Sequence, residues 1–293
     1  MPIAADTAAV MTTHNGERFL RQQCASIFGQ DLLPAVLIVV DDASTDGTRD
    51  LLREMVRSAP IPVELVWADG SSTRNPKTRI AANVAKGLAA AQSFEFALLS
   101  DQDDEWLSDR LVRQRDVLRS TPGALLVAGD GLLIDQEGSE TGGRLRDSFP
   151  LPPHWDALDP AGRMRSALRT PFVTGAASAM TVSLARLMLP VPPGWLHDRW
   201  ATLVAVACDG LLLQEEPVIR YRIHEGQVLG QRQAGVGTGA RRWRQVRERG
   251  AGPGEAATRA AHIVRRVKPI ATDPGVRREL SWRAVIGSAL ARA

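Results

Sequence analysis

The 293-residue chain contains only two cysteines, Cys24 and Cys208, each set in an apolar pattern of helical spacing. So few thiols argue against a disulfide framework or a cysteine-built metal site and read as reduced core residues. No apolar stretch approaches the roughly 20 residues a membrane-spanning helix needs, and the N-terminus lacks the basic-then-apolar pattern of a secretory signal. A cytoplasmic protein is expected. No internal repeat is evident, and low complexity is confined to a Gly- and Arg-biased C-terminal stretch.

Charge is unevenly distributed. Residues 231–293 carry 14 Lys or Arg against 4 Asp or Glu, a net +10, whereas residues 1–230 carry 22 against 29, a net −7. The chain therefore divides into a body, 1–230, and a basic C-terminal extension, 231–293, expected to be helical. Gly235-Val236-Gly237-Thr238-Gly239 reads as a linker between them, and Arg241-Arg242-Trp243-Arg244-Gln245-Val246-Arg247 as a basic helix with an interfacial aromatic. Such a helix suits peripheral association with an anionic membrane, or packing on the acidic surface of the body. Nucleic acid would attract the same charge, but no recognised nucleic-acid module accompanies it and none is expected as a partner.

In the body, Ala8-Ala9-Val10-Met11-Thr12, Val36-Leu37-Ile38-Val39-Val40 and Leu98-Leu99 read as buried strands. Each ends in polar residues: Thr13-His14-Asn15-Gly16, Asp41-Asp42, and Asp101-Gln102-Asp103-Asp104. Helical stripes follow each of the first two, from Asn15 as the expected N-cap to Gly29, and through Leu51, Leu52, Met55 and Val56. Val63-Glu64-Leu65-Val66-Trp67 alternates as a strand, 79–91 is an Ala-rich helix, and another helix begins near Ser108. Alternating strands and helices predict an α/β fold with a mostly parallel sheet, whose C-terminal strand ends form the ligand rim. Residues 135–170, rich in Gly, Pro, Arg and Asp, read as loop. Three carboxylates within four positions at 101–104 repel one another unless water, a ligand or a cation offsets them. A hard divalent ion carrying a diphosphate is one solution, and a solvated acidic turn is the other.

Thr12-Thr13-His14-Asn15-Gly16-Glu17-Arg18-Phe19-Leu20, then Val39-Val40-Asp41-Asp42-Ala43-Ser44-Thr45-Asp46-Gly47-Thr48, then Ser100-Asp101-Gln102-Asp103-Asp104-Glu105-Trp106 resemble the successive motifs of glycosyltransferase family 2. Thr174-Gly175-Ala176-Ala177, His197-Asp198-Arg199-Trp200 and Tyr221-Arg222-Ile223-His224-Glu225-Gly226-Gln227-Val228-Leu229-Gly230 are similar to its bacterial rhamnosyltransferase-like branch. The resemblance spans about residues 8–230. It implies the GT-A fold, with flanking helices on a mostly parallel central sheet, and an inverting, metal-dependent sugar transferase.

By that resemblance Thr12, His14 and Asp42 fall at base-binding positions, and His14 departs from the aromatic residue usual there. Asp101 and Asp103 match a D-x-D pair, with Asp101 on the ribose or an ordered water and Asp103 on Mg²⁺ or Mn²⁺; Asp104 is the competing ligand. His224 resembles a C-terminal histidine used near the metal or diphosphate. Arg79, Asn83 and Arg222 are candidates for phosphate. Asp198 matches the acid that deprotonates the acceptor hydroxyl, against the alternative of a helix cap. Trp195 and Trp200 beside it suit either sugar stacking or the core. The implied partners are a dTDP- or UDP-linked sugar such as rhamnose or a hexose, and a cell-surface glycan or lipid-linked acceptor. Two alternatives remain: a sugar-phosphate nucleotidyltransferase, which would need a Gly-rich phosphate loop where Thr12-Thr13-His14-Asn15 stands, and a non-catalytic nucleotide-binding scaffold.

Overall fold

The computed structural model describes residues 1–70, 75–225, 231–233, 243–245 and 253–290. In chain order the body runs β1 (Ile3–Thr13), α1 (Glu17–Phe28), β2 (Leu33–Asp42), α2 (Thr48–Ser58), β3 (Val63–Ala68), α3 (Pro76–Ala90), β4 (Phe96–Ser100), β5 (Glu105–Trp106) and α4 (Arg110–Ser120). It continues through β6 (Leu126–Ile134), β7 (Glu140–Arg144), α5 (Pro160–Arg169), β8 (Ser178–Thr181), α6 (Val182–Met188), α7 (His197–Ala207) and β9 (Leu211–Arg222). One sheet carries all nine strands in the order β3-β2-β1-β4-β8-β6-β9-β5, with β7 on β6. β3, β2, β1 and β4 are parallel, so their C-terminal ends share one edge. β8 runs antiparallel between β4 and β6, and β6 pairs in parallel with β9.

Period-2 alternation sends neighbouring residues of each central strand to opposite faces of the sheet. Val10, Ile38 and Leu99 join Val84 and Leu88 of α3 and Leu203 and Val204 of α7 in one buried cluster. Met11, Val39 and Leu98 join Leu20 of α1, Leu52 of α2 and Leu111 of α4 in the other. Burial on both faces explains why these strands read as unbroken apolar runs.

Local departures from the sequence reading have physical causes. Asn15 does not cap α1: it is left-handed (φ 49°) and its Oδ1 accepts from Thr45 N–H at 2.8 Å. The free amides at the start of α1 are taken instead by the β2–α2 loop and the first residue of α2, Glu17 N–H donating to Asp46 Oδ2 (3.2 Å) and Gly16 N–H to Thr48 Oγ1 (2.8 Å). The stretch 135–170 is less irregular than its composition suggests, since Asp159 accepts from Gly162 N–H and Pro160 opens α5.

The extension is described in pieces: β10 (Gln231–Gln233) paired antiparallel with β11 (Trp243–Gln245), then α8 (Pro253–His262), α9 (Pro274–Glu279) and α10 (Trp282–Leu290). Gly235 to Gly239, and Arg241, Arg242, Val246 and Arg247, lie outside the described residues. At 243–245 a strand replaces the expected helix. Two apolar residues in seven do not make a helix-long apolar face, and pairing with β10 satisfies the backbone instead. Beyond it, Ala260, Ile263, Val267, Ala271, Val276 and Leu280 enter the same buried cluster as α5 and α7. Thr272 N–H donates to Ala207 O (3.0 Å), and Arg266 Nη2 to Leu189 O (3.0 Å). The seam between 253–290 and the body is thus chiefly apolar, while Arg265, Arg277, Arg278, Arg283 and Trp282 face outward.

Candidate active site

The two acids ending β2 have different fates. Asp41 is consumed by its own turn: it accepts from Thr13 Oγ1 (3.1 Å), Ser44 Oγ (2.5 Å) and Ser44 N–H (3.2 Å) and pairs with Arg49 Nε at 2.6 Å. Asp42 points the other way. Its Oδ2 pairs with Arg79 Nε at 2.6 Å, and its Oδ1 is buried with no hydrogen-bond partner. A buried, unfilled carboxylate oxygen is costly and is well suited to accept from a ligand N–H or O–H. His14 Nδ1 lies 2.7 Å from Asp42 O. A carbonyl can only accept, so Nδ1 carries the proton and a neutral His14 presents a bare Nε2.

His14 is held on its other side by Gln102, which accepts from His14 N–H at 2.8 Å and donates to His14 O at 3.1 Å. This clasp ties the β1 end to the acidic turn after β4. It also explains Gly16, whose missing Cβ would fall 2.2 Å from Gln102 Oε1. Thr12 is half-buried opposite Val40, and Asn83 is buried one helical turn beyond Arg79 on the sheet-facing side of α3. Thr12, His14, Asp42, Arg79 and Asn83 therefore line or support one corner of the rim.

The acidic turn is the second half of the site. Asp103 Oδ2 lies 2.9 Å from His224 Nε2, whose ring packs on Phe19 with centroids 4.8 Å apart. Asp104 is 2% exposed, and its Oδ1 accepts from Arg222 N–H at 2.9 Å; Oδ2 has no partner. Asp103 is the more open of the two, and it is Asp103 that faces His224. Arg222 is not available to phosphate: fully buried, it donates to Asp103 O (2.8 Å), Asp135 O (3.2 Å) and Glu105 Oε1 (2.6 Å), bracing the turn from behind. Burial, then the charges of Asp103 and Asp198, push the Asp101 carboxyl up to about 7. Burial and the same crowding by Asp103 and Asp101 push Asp104 well above the usual range. On the opposite side, burial lowers the Arg110 guanidinium to about 9 against the pull of Asp104 and Asp101.

Among the described residues no group of three or more His, Cys, Asp or Glu side chains converges as a metal cage. Asp103 and His224 supply an oxygen and a nitrogen at one point, beside the crowded carboxylates of Asp101 and Asp104. That donor set fits a divalent ion that takes one or two protein ligands and fills its other positions with phosphate and water.

Asp198 is the second residue of α7, with Leu196 at the cap position, so it is not an N-cap. Its Oδ2 accepts from Gly175 N–H at 3.3 Å, and its charge is felt at Asp101 although 97 positions separate them. The helix is anchored by Leu203, Val204 and Ala207 and by Arg199, which donates to Thr170 O (2.6 Å) and Leu168 O (2.9 Å). His197 is buried behind Gly175, where an added Cβ would fall 2.3 Å from Nε2; burial lowers its pKa and favours the neutral ring. Trp195 and Trp200 are core residues, 4% and 0% exposed with rings 5.5 Å apart, and offer no face to a sugar.

At the level of sequence Gln102 and His197 stand only as members of motifs with no role of their own, and Arg110 is not singled out. Gln102 alone carried a signal: an uncharged amide amid acids has donors as well as acceptors to place.

Parallel strand ends that gather a polar corner and an acidic turn on one edge are the arrangement of the GT-A fold. The chain belongs to glycosyl transferase family 2, whose model matches residues 8–180. It is 29% identical over 142 residues to the dTDP-rhamnosyl transferase RfbG of Shigella flexneri, covering 45% of this chain and 47% of that one. It is also 29% identical over 135 residues to TuaG of Bacillus subtilis, named for teichuronic acid biosynthesis, covering 44% and 50%. The chain thus spans about half the length of the curated relatives it matches. In three dimensions it resembles S. aureus TarS solved with UDP-GlcNAc, at 15% identity and TM-score 0.54 over 76% of this chain and 60% of that one. The mannosyltransferase PcManGT of Pyrobaculum calidifontis, solved with GDP-Man and Mn²⁺, aligns over 98% and 73%, at 19% identity and TM-score 0.51.

Proposed function

We propose that this protein is an inverting glycosyltransferase that moves a sugar from a nucleoside-diphosphate donor to a hydroxyl of a cell-surface glycan or lipid-linked acceptor. The observation that carries the reading is the convergence of Asp198 on the acidic turn. A carboxylate on a rigid helix, close enough for its charge to be felt at Asp101, is where a base must stand if a bond to the donor's diphosphate breaks at that turn.

In this reading Asp42 accepts from the base or ribose, His14 borders the base, and Arg79 and Asn83 sit on the phosphate side. Asp198 takes the proton of the acceptor hydroxyl. The acceptor oxygen forms a bond to the anomeric carbon as the carbon–oxygen bond to the diphosphate breaks. Attack from the opposite face inverts the configuration, and one carboxylate suffices, unlike a retaining hydrolysis that needs a second as nucleophile. A divalent ion held by Asp103 and His224 would neutralise the leaving diphosphate. Residues 1–230 form the catalytic unit, and the extension's outward Arg265, Arg277, Arg278 and Arg283, with Trp282, would bring it to an anionic membrane. The name of the RfbG relative favours a dTDP-deoxysugar donor, and a UDP-hexose is the other choice.

The test is incubation of the purified protein with a panel of nucleotide sugars, Mn²⁺ and candidate acceptors. Release of nucleoside diphosphate with sugar incorporation is expected. Pyrophosphate formation from a sugar phosphate and nucleotide would indicate a nucleotidyltransferase, and binding without either product a scaffold.

A further inference from the structure

Arg110 opens α4 directly behind the acidic turn and is fully buried. Its Nη2 donates to Leu99 O (2.9 Å) and Ser178 O (3.2 Å), its Nε to Gln114 Oε1 (3.1 Å), and its guanidinium carbon lies 4.1 Å from the Trp106 ring centroid. These contacts tie β4 to β8; only the stacking on Trp106 draws on the charge, the hydrogen bonds would serve a neutral donor equally well, and burying a guanidinium carries a desolvation cost that a neutral strut avoids. Two further atoms remain unmatched. Arg110 Nη1 is buried without a hydrogen-bond partner, and so is Asp104 Oδ2. No ion pair within 4 Å joins Arg110 to an acid among the described residues, although it interacts electrostatically with both Asp104 and Asp101.

We propose that Arg110 is the fixed counter-charge of the acidic turn, offsetting Asp101, Asp103 and Asp104 while no divalent ion is bound and thereby keeping the turn's affinity for a bare ion low. When an ion at the turn draws all three carboxylates into their ionised forms, they and the one guanidinium leave two negative charges, which the divalent ion cancels. Once the ion is in place the guanidinium adds a repulsive positive charge beneath it. A diphosphate restores the balance by supplying negative charge from the other side. Arg110 therefore couples the two ligands, disfavouring the ion alone and favouring the ion together with a diphosphate. Its role is to position charge, and it touches neither substrate nor ion. The inference rests on the metal reading of the site proposed above.

The test uses the full chain and the variants Arg110→Gln, which removes the charge but keeps an amide donor, and Arg110→Lys, which keeps the charge but loses the fork. Mn²⁺ alone, then Mn²⁺ with inorganic pyrophosphate, is titrated by calorimetry and by thermal shift. For Arg110→Gln the Mn²⁺ dissociation constant should tighten about tenfold, the metal-free melting temperature should fall more than the Mn²⁺-saturated one, and pyrophosphate should improve Mn²⁺ binding less than in the parent. Arg110→Lys should follow the parent in Mn²⁺ affinity even if it melts lower. Unchanged Mn²⁺ affinity in Arg110→Gln, or equal shifts in both variants, would mark Arg110 as a structural strut and overturn the proposal. So would an Arg110→Gln chain that stays unfolded at saturating Mn²⁺ and pyrophosphate. A parent that takes up no Mn²⁺ with or without pyrophosphate would instead remove the metal reading itself, and this inference with it.

Discussion

His224 Nε2 and Asp103 Oδ2 stand 2.9 Å apart across 121 positions of sequence. The two-residue strand β5 follows Asp104 immediately and pairs Glu105 with Arg220 and Trp106 with Ile219 of β9. That pairing brings the end of β9, and His224 just beyond it, back over the acidic turn. Asp103→Asn should keep the fold, because the turn loses a repelling charge, while Mn²⁺-dependent binding of a nucleoside diphosphate weakens about tenfold or more. Calorimetry at matched Mn²⁺ checks it, and unchanged affinity would take Asp103 out of the metal site.

The crowded carboxylates make the metal-free protein respond to pH. Asp101, raised to about 7 from an ordinary 3.8, holds its proton more tightly folded than unfolded. Its contribution is therefore fully present below about pH 4 and lost as pH rises through about 7. In EDTA, the stability difference between the parent and Asp101→Asn should shift in favour of the variant across that window, read from denaturant midpoints at pH 4 to 8. Parallel pH profiles would show that Asp101 titrates normally.

Asp198→Asn separates chemistry from binding. Nucleoside diphosphate affinity should be retained while turnover falls roughly 100-fold or more, as expected for loss of a general base. Since Asp198 is not the cap of α7, the melting temperature should change little. Near-normal turnover would dismiss it as the base.

Neighbouring acids on β2 should behave oppositely. Asp41→Ala strands Thr13, Ser44 and Arg49 and should lower stability by about 3 kcal/mol, in the range seen when one partner of a buried pair is removed. Asp42→Ala should cost less stability and more affinity, with nucleoside diphosphate binding reduced about tenfold. Equilibrium unfolding and nucleotide titration of the two variants decide it, and identical profiles would erase the distinction.

The extension should prove part of the fold. Ending the chain at residue 252 would expose the α5 and α7 surfaces that Ile263, Val267, Val276 and Leu280 cover, at about 1.5–3 kcal/mol for each large side chain. An aggregating or strongly destabilised product is expected by light scattering and thermal melting. A truncated body that melts as the parent does would show the seam to be dispensable.

The parallel half of the sheet was legible because both its faces are buried. β1, β2 and β4 had to be continuous apolar runs, and each run ended in polar residues that the parallel arrangement gathers on one edge. The extension was harder to read. Its cations are conspicuous in the sequence, whereas the residues that attach it to the body, such as Ala260, Val267 and Leu280, are spaced like those of any amphipathic helix and name no partner. The 243–245 strand was missed because the pairing that makes it lies with β10, outside the local pattern.

By itself, then, the sequence determined the α/β alternation, the three polar strand ends and the family, because these depend on local periodicity and on short motifs. Tertiary structure decided which acid of each pair faces the site. Asp41 and Asp42, like Asp103 and Asp104, are adjacent and chemically identical, and only the placement of Thr13, Ser44 and Arg49, or of Arg222 and His224, spends one and leaves the other open. It also decided that Arg222 braces the turn and that Arg110 lies beneath it, since an arginine's partners come from strands and loops distant in sequence. Hydrogen bonds and charges act across space, and chain order records only which residues are present to make them.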